Sequence, residues 1–377
     1  PRSPPIASWT PAFFERECWK SDRECSFLLP MEVFTGEDKA MPGNPLPRRT
    51  LGRTGLEVSV LGFGSAPVGD LYREVGEAAA LETIVTALSN GVTLLDTSPF
   101  YGSGLSEHRV GSALRHVPEV KPFISTKVGR YALPSQPCPG SPFDGGLNHA
   151  LQIDYGYDGV MRSIEQSLLR LGVNHLDIVL VHDLDRYTHG DNLEGYYQEA
   201  LEGAVKALTK LRNEGVIRGY GVGVNEADMA ERFARDCDPD AVLLAGRYSL
   251  LEQPAIESFL PLAEERNIGV LLGGVFNSGI LATGPIDGAR YDYSEAPPEI
   301  LEKVRKMEAV CQSHNVPLRR AALQFVLGHP TVSCLVLGAE KPAEVHSQLE
   351  DLSATIPGDL WAELKHEGLL GESIPTP

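Results

Sequence analysis

The stretch LLDTSPFYG, residues 94–102, places a carboxylate at the end of an apolar run and a tyrosine on the loop that follows. Leu94 and Leu95 are typical of the last residues of a buried strand. Asp96 follows them directly, and Tyr101 stands five residues further along the chain. Whether these two polar residues belong to a functional site depends on the kind of sheet that the strand joins.

Short apolar stretches alternate with stretches of helical periodicity on both sides of this segment. Residues 177–181, DIVLV, are almost continuously apolar, as expected for a strand that is covered on both faces of a parallel sheet. Eight strand–helix repeats predict an α/β fold of the (β/α)8 TIM-barrel type rather than an open doubly wound sheet. The predicted strands are 59–63, 93–96, 123–127, 177–181, 219–222, 241–244, 269–272 and 334–337. The predicted helices are 76–90, 105–115, 157–171, 196–214, 226–236, 255–266, 300–314 and 343–350, with an extra helix at 318–328.

The boundaries of the predicted barrel follow from composition and turn residues. Residues 1–49 are rich in proline and show little periodicity, which indicates an appended and partly disordered arm, so that the barrel is residues 50–377. Residues 51–64, LGRTGLEVSVLGFG, have a Thr-Gly turn between apolar runs and predict an N-terminal hairpin. A Rossmann domain is the alternative, but GFGSAP at 62–67 lacks the third glycine of its fingerprint.

Composition excludes several classes of protein. The chain carries 51 acidic and 33 basic residues and a formal net charge of −18, which argues against nucleic acid as a partner. Its apolar runs are shorter than the roughly 18 residues of a membrane span, so no membrane association is predicted. The six cysteines lack CxxC spacing, which predicts free thiols in a reducing, cytoplasmic compartment and no metal site. The oligomeric state stays open.

Four ionisable residues lie where predicted strands end. Asp96 ends the second strand and Tyr101 follows it, Lys127 ends the third strand, and His182 ends the fourth. Each alone has a structural explanation as a capping, surface or scaffolding residue. In a barrel, however, the C-terminal ends of the strands meet at one face, where active sites lie. We therefore expect these four side chains to form one site.

The chemistry that suits these four residues is hydride transfer to or from a carbonyl. Its oxygen must gain or lose a proton as hydride moves, and Tyr101 can exchange that proton. The ordinary pKa of a tyrosine, about 10, is too high for efficient exchange near neutrality, and the ammonium of Lys127 would lower it. Asp96 would hold Lys127 charged and in place, and His182 would donate a hydrogen bond to the substrate oxygen.

In order, context and spacing these residues resemble the catalytic tetrad of the aldo-keto reductases. The resemblance extends from about Leu51 to Leu370 and is close in LGRTGLEVSVLGFG, LLDTSPFYGSGLSEHRVG, RSIEQSLLRLG, IVLVHDLD and LVLGAEKPAEV. It implies a barrel, a nicotinamide cofactor and a tyrosine acid/base. The chain looks most like the aldose-dehydrogenase branch, which includes D-threo-aldose (L-fucose) 1-dehydrogenases, L-galactose dehydrogenases and pyridoxal 4-dehydrogenases. The marks of that branch are His182 before Asp183, AGRYSLLEQ (245–253), GVFNSGILATG (274–284) and AALQFVLGHP (321–330).

The branch implies a small-molecule substrate, and we expect oxidation of a sugar at C1 to a lactone. Three alternatives stay open: oxidation of the hemiacetal of pyridoxal, simple aldehyde reduction, and a binding subunit without catalysis. Asp183 is either a solvated loop residue or an acceptor for sugar hydroxyls, and Asp185 is expected to be a loop residue. The long segment 131–156 is expected to form a wall of the substrate site, with Tyr155 and Tyr157 as candidate contacts.

The predicted nicotinamide pocket departs from the common pattern of the family. Gly273 stands where many members stack a tyrosine, and Ala245 stands near the usual carboxamide-binding glutamine. Asn225, in GVGVN, becomes the nearest residue that could bind the carboxamide. Tyr248, which could equally be a core residue, and Phe276 are candidate substitutes for the missing contacts, and Arg247 is a third candidate.

The last predicted strand and the helix after it indicate NAD rather than NADP, although NADP stays possible. The family's NADP-specific members hold the 2′-phosphate with a Lys-Ser pair and an arginine. Alignment without gaps places Gly338 and Ala339 at the pair and Glu344 at the arginine. A carboxylate there repels a phosphate but accepts a hydrogen bond from a free 2′-hydroxyl. Gln348, one turn further along the helix, completes the predicted cofactor contacts; alternatively, Glu344 is a surface acid of the first turn.

Overall fold

The computed structural model of the chain describes residues 46–135 and 142–377. The predicted arm, residues 1–49, lies almost entirely outside the described residues. The described cysteines, Cys237, Cys311 and Cys334, are free thiols, as predicted. Within the described residues, the helices are too short or too polar to cross a membrane.

Eight parallel strands close into a barrel, as predicted. Each strand is hydrogen-bonded to the next one along the chain, and the last strand pairs with the first. Most of the predicted strands lie within two residues of the observed bounds. The barrel strands are β1 (Leu61–Gly64), β2 (Leu94–Asp96), β3 (Phe123–Val128), β4 (Ile178–His182), β5 (Gly219–Val224), β6 (Ala241–Ala245), β7 (Gly269–Gly273) and β8 (Val332–Leu337).

The near-continuous apolar strands bury both faces because each face has its own core. In β4, Ile178 and Leu180 point into the barrel, whereas Val179 and Val181 pack under the surrounding helices. The alternation of side chains along a strand requires this division. The predicted hairpin is formed by Arg48–Thr50 and Glu57–Ser59, and Val58 from it belongs to the interior cluster.

Helices cover the outside of the barrel. The long α-helices and the shorter ones are Glu77–Ser89, Leu105–His116, Tyr157–Leu171, Arg186–His189, Leu193–Glu202, Ala204–Asn213, Ala227–Asp236, Phe259–Glu265, Ile280–Thr283, Pro298–Ser313, Leu318–Leu327, Pro342–Ser353 and Gly358–His366.

Two predicted helices differ from the observed ones, and the final helix was not predicted. The helix predicted at 196–214 is interrupted at Gly203, where a Cβ atom would lie 2.5 Å from the carbonyl oxygen of Tyr155. The helix predicted at 255–266 begins only at Phe259, after a 3₁₀ turn at Pro254–Ile256. The final helix, Gly358–His366, was not predicted, although its buried Leu360, Trp361 and Leu364 follow helical spacing.

Two small hairpins project from the C-terminal face of the barrel. The long segment after β3 contains Arg130–Leu133 paired with Ala150–Ile153. The loop after β7 contains Arg290–Tyr291 paired with Ser294–Glu295. Both hairpins follow barrel strands, so they lie at the face where the strand ends carry the candidate catalytic residues.

Candidate active site

The four predicted residues meet at the C-terminal face. Asp96 and His182 are the last residues of β2 and β4, and Lys127 is the next-to-last residue of β3. Tyr101 opens a 3₁₀ turn after β2. The Lys127 Nζ atom lies 2.6 Å from Asp96 Oδ2 and 4.8 Å from the centroid of the Tyr101 ring. The Tyr101 and His182 rings are 5.9 Å apart and nearly perpendicular.

The Asp96–Lys127 ion pair is sealed from water. Asp96 is 2% exposed and Lys127 is 1% exposed. Ser125 donates to the second carboxylate oxygen at 2.8 Å, and Lys127 also donates to the Thr97 carbonyl at 2.9 Å. Burial by itself lowers the pKa of Lys127, but the attraction of Asp96 and Tyr101 outweighs it, so that this pKa is raised. Lys127 therefore remains an ammonium at physiological pH.

Tyr101 experiences two opposing influences. Burial raises the pKa of its phenol, and the Lys127 ammonium lowers it, with burial the larger effect. Lys127 thus favours the phenolate as expected, yet the pKa of Tyr101 remains above its ordinary value in this structure. The cation offsets part of the cost of burying a phenolate rather than producing one at neutral pH.

The contacts of His182 determine which ring nitrogen carries the hydrogen. Its Nε2 atom lies 3.3 Å from Asp183 Oδ1, and its Nδ1 atom lies 3.1 Å from Ser98 Oγ. The tautomer with the hydrogen on Nε2 suits both contacts, because the Asp183 carboxylate can accept from it and the Ser98 hydroxyl can donate to Nδ1. Burial, followed by the positive charges of Lys127 and Arg130, lowers the pKa of His182 well below its ordinary value. His182 is therefore a neutral donor through Nε2.

An ion pair beside His182 was not predicted. Arg130 Nη1 lies 3.0 Å from Asp183 Oδ2, and the guanidinium stacks on the Phe100 ring at 4.6 Å. The backbone of Asp183 has a left-handed φ of 51°. Asp183 is thus a site residue rather than a solvated one, whereas Asp185 caps the helix Arg186–His189 by accepting from the Thr188 amide.

The two tyrosines proposed for the substrate wall occupy other positions. Tyr155 is fully buried, and its hydroxyl donates to the carbonyl of His182 at 2.7 Å, with His189 Nε2 at 2.8 Å. Tyr155 therefore holds the end of β4 instead of lining a substrate pocket. Tyr157 is exposed at the start of the helix Tyr157–Leu171.

The ends of β5, β6 and β7 suit a flat ligand. Ala245 and Gly246 lie beside Gly273 and Gly274, so this surface carries no side chain larger than a methyl group. Among the described residues, the amide group of the Asn225 side chain makes no hydrogen bond, and it is partly exposed. A planar nicotinamide with a carboxamide fits a backbone surface with one free amide at its edge.

Tyr248 and Phe276, the two aromatic candidates for the cofactor pocket, both pack against the core outside the barrel wall, Tyr248 fully buried and Phe276 partly buried. Tyr248 is 1% exposed and stacks on Phe325 with ring centroids 5.5 Å apart, while His329 contacts its edge. This packing lies in the core outside the barrel wall and favours the core interpretation of Tyr248. Phe276 is partly buried against the same core, on the loop after β7.

The residues proposed to select NAD are grouped after β8. Gly338 has no room for a side chain, because a Cβ atom there would lie 2.5 Å from Pro67 Cγ, and its carbonyl accepts from Gln348 Nε2 at 2.8 Å. Glu344 Oε2 accepts the backbone N–H of Glu340 at 2.9 Å. Gln348 and Glu344 thus shape the loop, and Glu344 keeps its other oxygen directed toward Lys341, 3.7 Å away.

The chain is similar to known proteins in sequence and in fold. The aldo/keto reductase family model matches residues 60–366. The chain is 41% identical to a pyridoxal 4-dehydrogenase of Microbacterium luteolum, over 86% of this chain and 98% of the relative. It is 37% identical to a D-threo-aldose 1-dehydrogenase of a Pseudomonas species, over 86% of this chain and 97% of the relative. An aldo-keto reductase structure from Bacillus halodurans superposes with a TM-score of 0.66 at 24% identity, covering 87% of this chain and 98% of that one.

Proposed function

The chain belongs to the aldo/keto reductase family and is an oxidoreductase of that type, and from this premise we propose that it oxidises a cyclic hemiacetal to a lactone. The observation that carries the proposal is the sealed Asp96–Lys127 pair beneath a partly exposed Tyr101, with His182 as a neutral donor beside it. These groups can remove a proton from a hydroxyl and hold its oxygen.

Each residue has a separate part in the reaction. Tyr101 would accept the hydroxyl proton of the substrate in its phenolate form, which is the minor form at neutral pH, and Lys127 would stabilise that phenolate until the proton arrives. The N–H of His182 Nε2, which lies 3.3 Å from Asp183 Oδ1 in this structure, would donate to the same substrate oxygen when substrate is bound and would orient it. A nicotinamide held at the ends of β6 and β7 would supply the acceptor for the hydride that leaves the substrate carbon. The carbon thereby changes from a hemiacetal to a lactone carbonyl.

The cofactor would lie against the glycine-lined ends of β6 and β7, with its carboxamide at Asn225. We propose NAD as the preferred form. Gly338 and Ala339 offer no cation for a 2′-phosphate, and Glu344 would repel one. The carboxylate of Glu344 is instead suited to a free 2′-hydroxyl.

Two substrates share the reacting group. An aldose reacts at C1, and its relative among the compared proteins is 37% identical to this chain. Pyridoxal reacts as its internal hemiacetal. It is the second candidate substrate, and the 41% identity between this chain and the pyridoxal 4-dehydrogenase supports it. Both present a hydroxyl-bearing ring carbon, so the same four residues serve either substrate.

Absorbance at 340 nm tests the proposal directly. The protein is mixed with NAD⁺ and, in turn, L-fucose, L-galactose, D-arabinose and pyridoxal. Tyr101→Phe keeps the ring but removes the proton acceptor, so kcat should fall by about 10²–10⁴-fold, while NADH affinity measured by fluorescence stays unchanged. Tyr157→Phe, at an exposed tyrosine on a helix, is the matched control and should leave kcat unaltered.

Two outcomes would count against the proposal. A Tyr101→Phe variant that retains more than a tenth of the wild-type kcat, with chemistry rate-limiting, would show that Tyr101 is not the acid/base. Cofactor binding without turnover of any substrate in the panel would favour a binding subunit over an enzyme of this specificity.

A further inference from the structure

Three exposed tyrosines stand on segments that follow barrel strands at the C-terminal face of the barrel. Tyr72 follows β1, Tyr187 follows β4 and Tyr293 follows β7, and they are 44%, 74% and 44% exposed. These strands are separated from one another by at least one other strand around the closed barrel. Contacts among the segments that follow them therefore join parts of the barrel rim that are not neighbours.

Such contacts are present. The rings of Tyr187 and Tyr293 lie 6.2 Å apart with an angle of 32° between them. The guanidinium of Arg290, on the same hairpin as Tyr293, lies 5.3 Å from the centroid of the Tyr72 ring. The loops after β1, β4 and β7 thus meet over the mouth. Aromatic surface that stays exposed above a catalytic centre is suited to bind a ligand.

The Tyr293 phenol interacts electrostatically with residues of the candidate active site. Burial raises the pKa of its phenol, and the next largest influences come from Tyr72, Tyr101 and Asp183. The Tyr293 hydroxyl therefore lies within electrostatic range of both the acid/base and the carboxylate that contacts His182.

The backbone holds Tyr293 in a conformation that tyrosine disfavours. Asp292 and Tyr293 form the two-residue turn of the hairpin, with φ values of 47° and 65°. Turns of this kind favour glycine at the second position, and a bulky side chain there is unusual. Replacing Tyr293 by glycine would relieve this strain, so the hairpin geometry gives no local reason for a tyrosine.

The hairpin is nevertheless anchored at several points. Arg247 Nη2 lies 2.8 Å from Asp292 Oδ1, and the Tyr291 hydroxyl is hydrogen-bonded to the carboxylate of Glu252. The backbone N–H of Tyr293 donates to Ser278 Oγ at 2.9 Å. These bonds hold the Tyr293 ring at a defined place over the mouth, as a binding residue requires.

We propose that Tyr293 is a specificity-determining residue that packs its ring on the face of a six-membered substrate ring bound over Tyr101. A pyranose and the pyridine of pyridoxal share this shape, and both offer an apolar face to an aromatic side chain. Tyr187 supports the Tyr293 ring from the side. The inference rests on the proposed function, because it assigns a ring-shaped substrate to the same site.

The decisive variant is Tyr293→Gly, because a φ of 65° suits glycine and the hairpin should stay folded. The melting temperature should therefore equal or exceed that of the wild type. The KM for the ring substrate that the wild type oxidises should rise about ten- to a hundredfold, a range typical of a lost aromatic stacking contact. Reduction of methylglyoxal with NADH, which needs no ring contact, should change less than about twofold.

Two further variants test whether the change in KM depends on the aromatic ring of Tyr293. Tyr293→Phe keeps the ring and should retain the wild-type KM. Tyr157→Ala removes an exposed tyrosine on a helix and should change neither KM. Equal losses with the ring substrate and with methylglyoxal in Tyr293→Gly would overturn the inference. So would a raised Kd for NAD⁺ at unchanged substrate KM, since Tyr293 would then cover the cofactor.

If the proposed reaction does not occur, the role of Tyr293 is tested by ligand binding instead of by turnover. If the wild type oxidises no compound of the panel, calorimetric titration of the wild type and Tyr293→Gly with pyridoxal and L-fucose replaces the kinetic assay. Binding to the wild type that weakens at least tenfold in the variant would support the inference without the proposed reaction. Equal binding to both proteins, or binding to neither, would overturn it.

Discussion

Replacing Asp96 with asparagine should lower the free energy of unfolding by more than it raises the free-energy barrier of the reaction. The substitution keeps the shape of the side chain but removes the charge that faces Lys127 at 2.6 Å. At that distance, with an effective dielectric constant of about 20, the attraction is about 6 kcal/mol. Lys127 keeps its hydrogen bond to the Thr97 carbonyl and can release its proton, which recovers part of this energy. We therefore expect the free energy of unfolding to fall by about 3–5 kcal/mol.

The assay is urea denaturation at pH 7.5, with kcat measured on the folded fraction. The pKa of Lys127 is raised in the folded state above its ordinary 10.5. The pair's contribution to stability is therefore fully present below about pH 10.5 and declines as the pH rises through the folded pKa. The kcat of Asp96→Asn should fall less than that of Tyr101→Phe, because the proton acceptor stays in place.

Asp351→Asn is the control. Asp351 is 1% exposed and lies 2.6 Å from Arg319 Nε, on helices outside the barrel wall. The Asp351→Asn variant should lose less stability than Asp96→Asn, because Arg319 is 38% exposed and water screens its charge. The kcat of the Asp351→Asn variant should be unchanged. The double variant Asp96→Asn/Lys127→Met removes both buried charges and should recover part of the lost stability. A loss below about 1 kcal/mol in Asp96→Asn would refute the buried ion pair as we describe it.

Three other predictions concern Lys127, the selectivity for NAD⁺ over NADP⁺, and His182. In Lys127→Met the phenol of Tyr101 loses its cation, so its pKa should rise and the limb on which kcat for oxidation increases with pH should move to higher pH; an unchanged profile would place Lys127 outside the proton path. The wild type should use NAD⁺ with a kcat/KM at least tenfold above that for NADP⁺, and Glu344→Arg should shift this ratio toward NADP⁺; equal use by the wild type would contradict the assigned contacts. His182 has a folded pKa well below 6.5, so the unfolded chain binds its proton first and stability should fall as the pH drops below about 6.5. Urea denaturation between pH 7 and 5 should show a smaller loss in His182→Gln, and an identical slope would mean that His182 is protonated in the folded protein.

Much of the architecture could be read from local pattern. The alternation of apolar strands and helical periodicity reports burial of each segment, and eight repeats leave few ways to cover a parallel sheet. The barrel predicted on that basis is observed, as is the N-terminal hairpin. The sequence could place Asp96, Lys127 and His182 in one site, because the ends of parallel strands lie at the same face of a barrel independently of the loop conformations.

Tertiary structure alone determined which residues complete the site. Arg130 and Asp183 follow different strands, and their 3.0 Å ion pair depends on the path of two loops that no local pattern specifies. Tyr155 is likewise indistinguishable in sequence from a substrate contact, until the fold buries its hydroxyl against the carbonyl of His182.

The same limit applies to the covering of the mouth. Side-chain periodicity identifies a residue as buried but not the neighbours that bury it, so Tyr248 could be a core residue or a cofactor contact until its packing on Phe325 was seen. Tyr187 and Tyr293 are far apart in sequence and on strands that do not pair, yet their rings lie 6.2 Å apart. The sequence by itself determined the barrel and the strand ends that carry the candidate catalytic residues, because these depend on short-range periodicity. Only the tertiary structure determined the aromatic surface at the mouth of the barrel, because that surface is built from contacts between segments that follow non-adjacent strands.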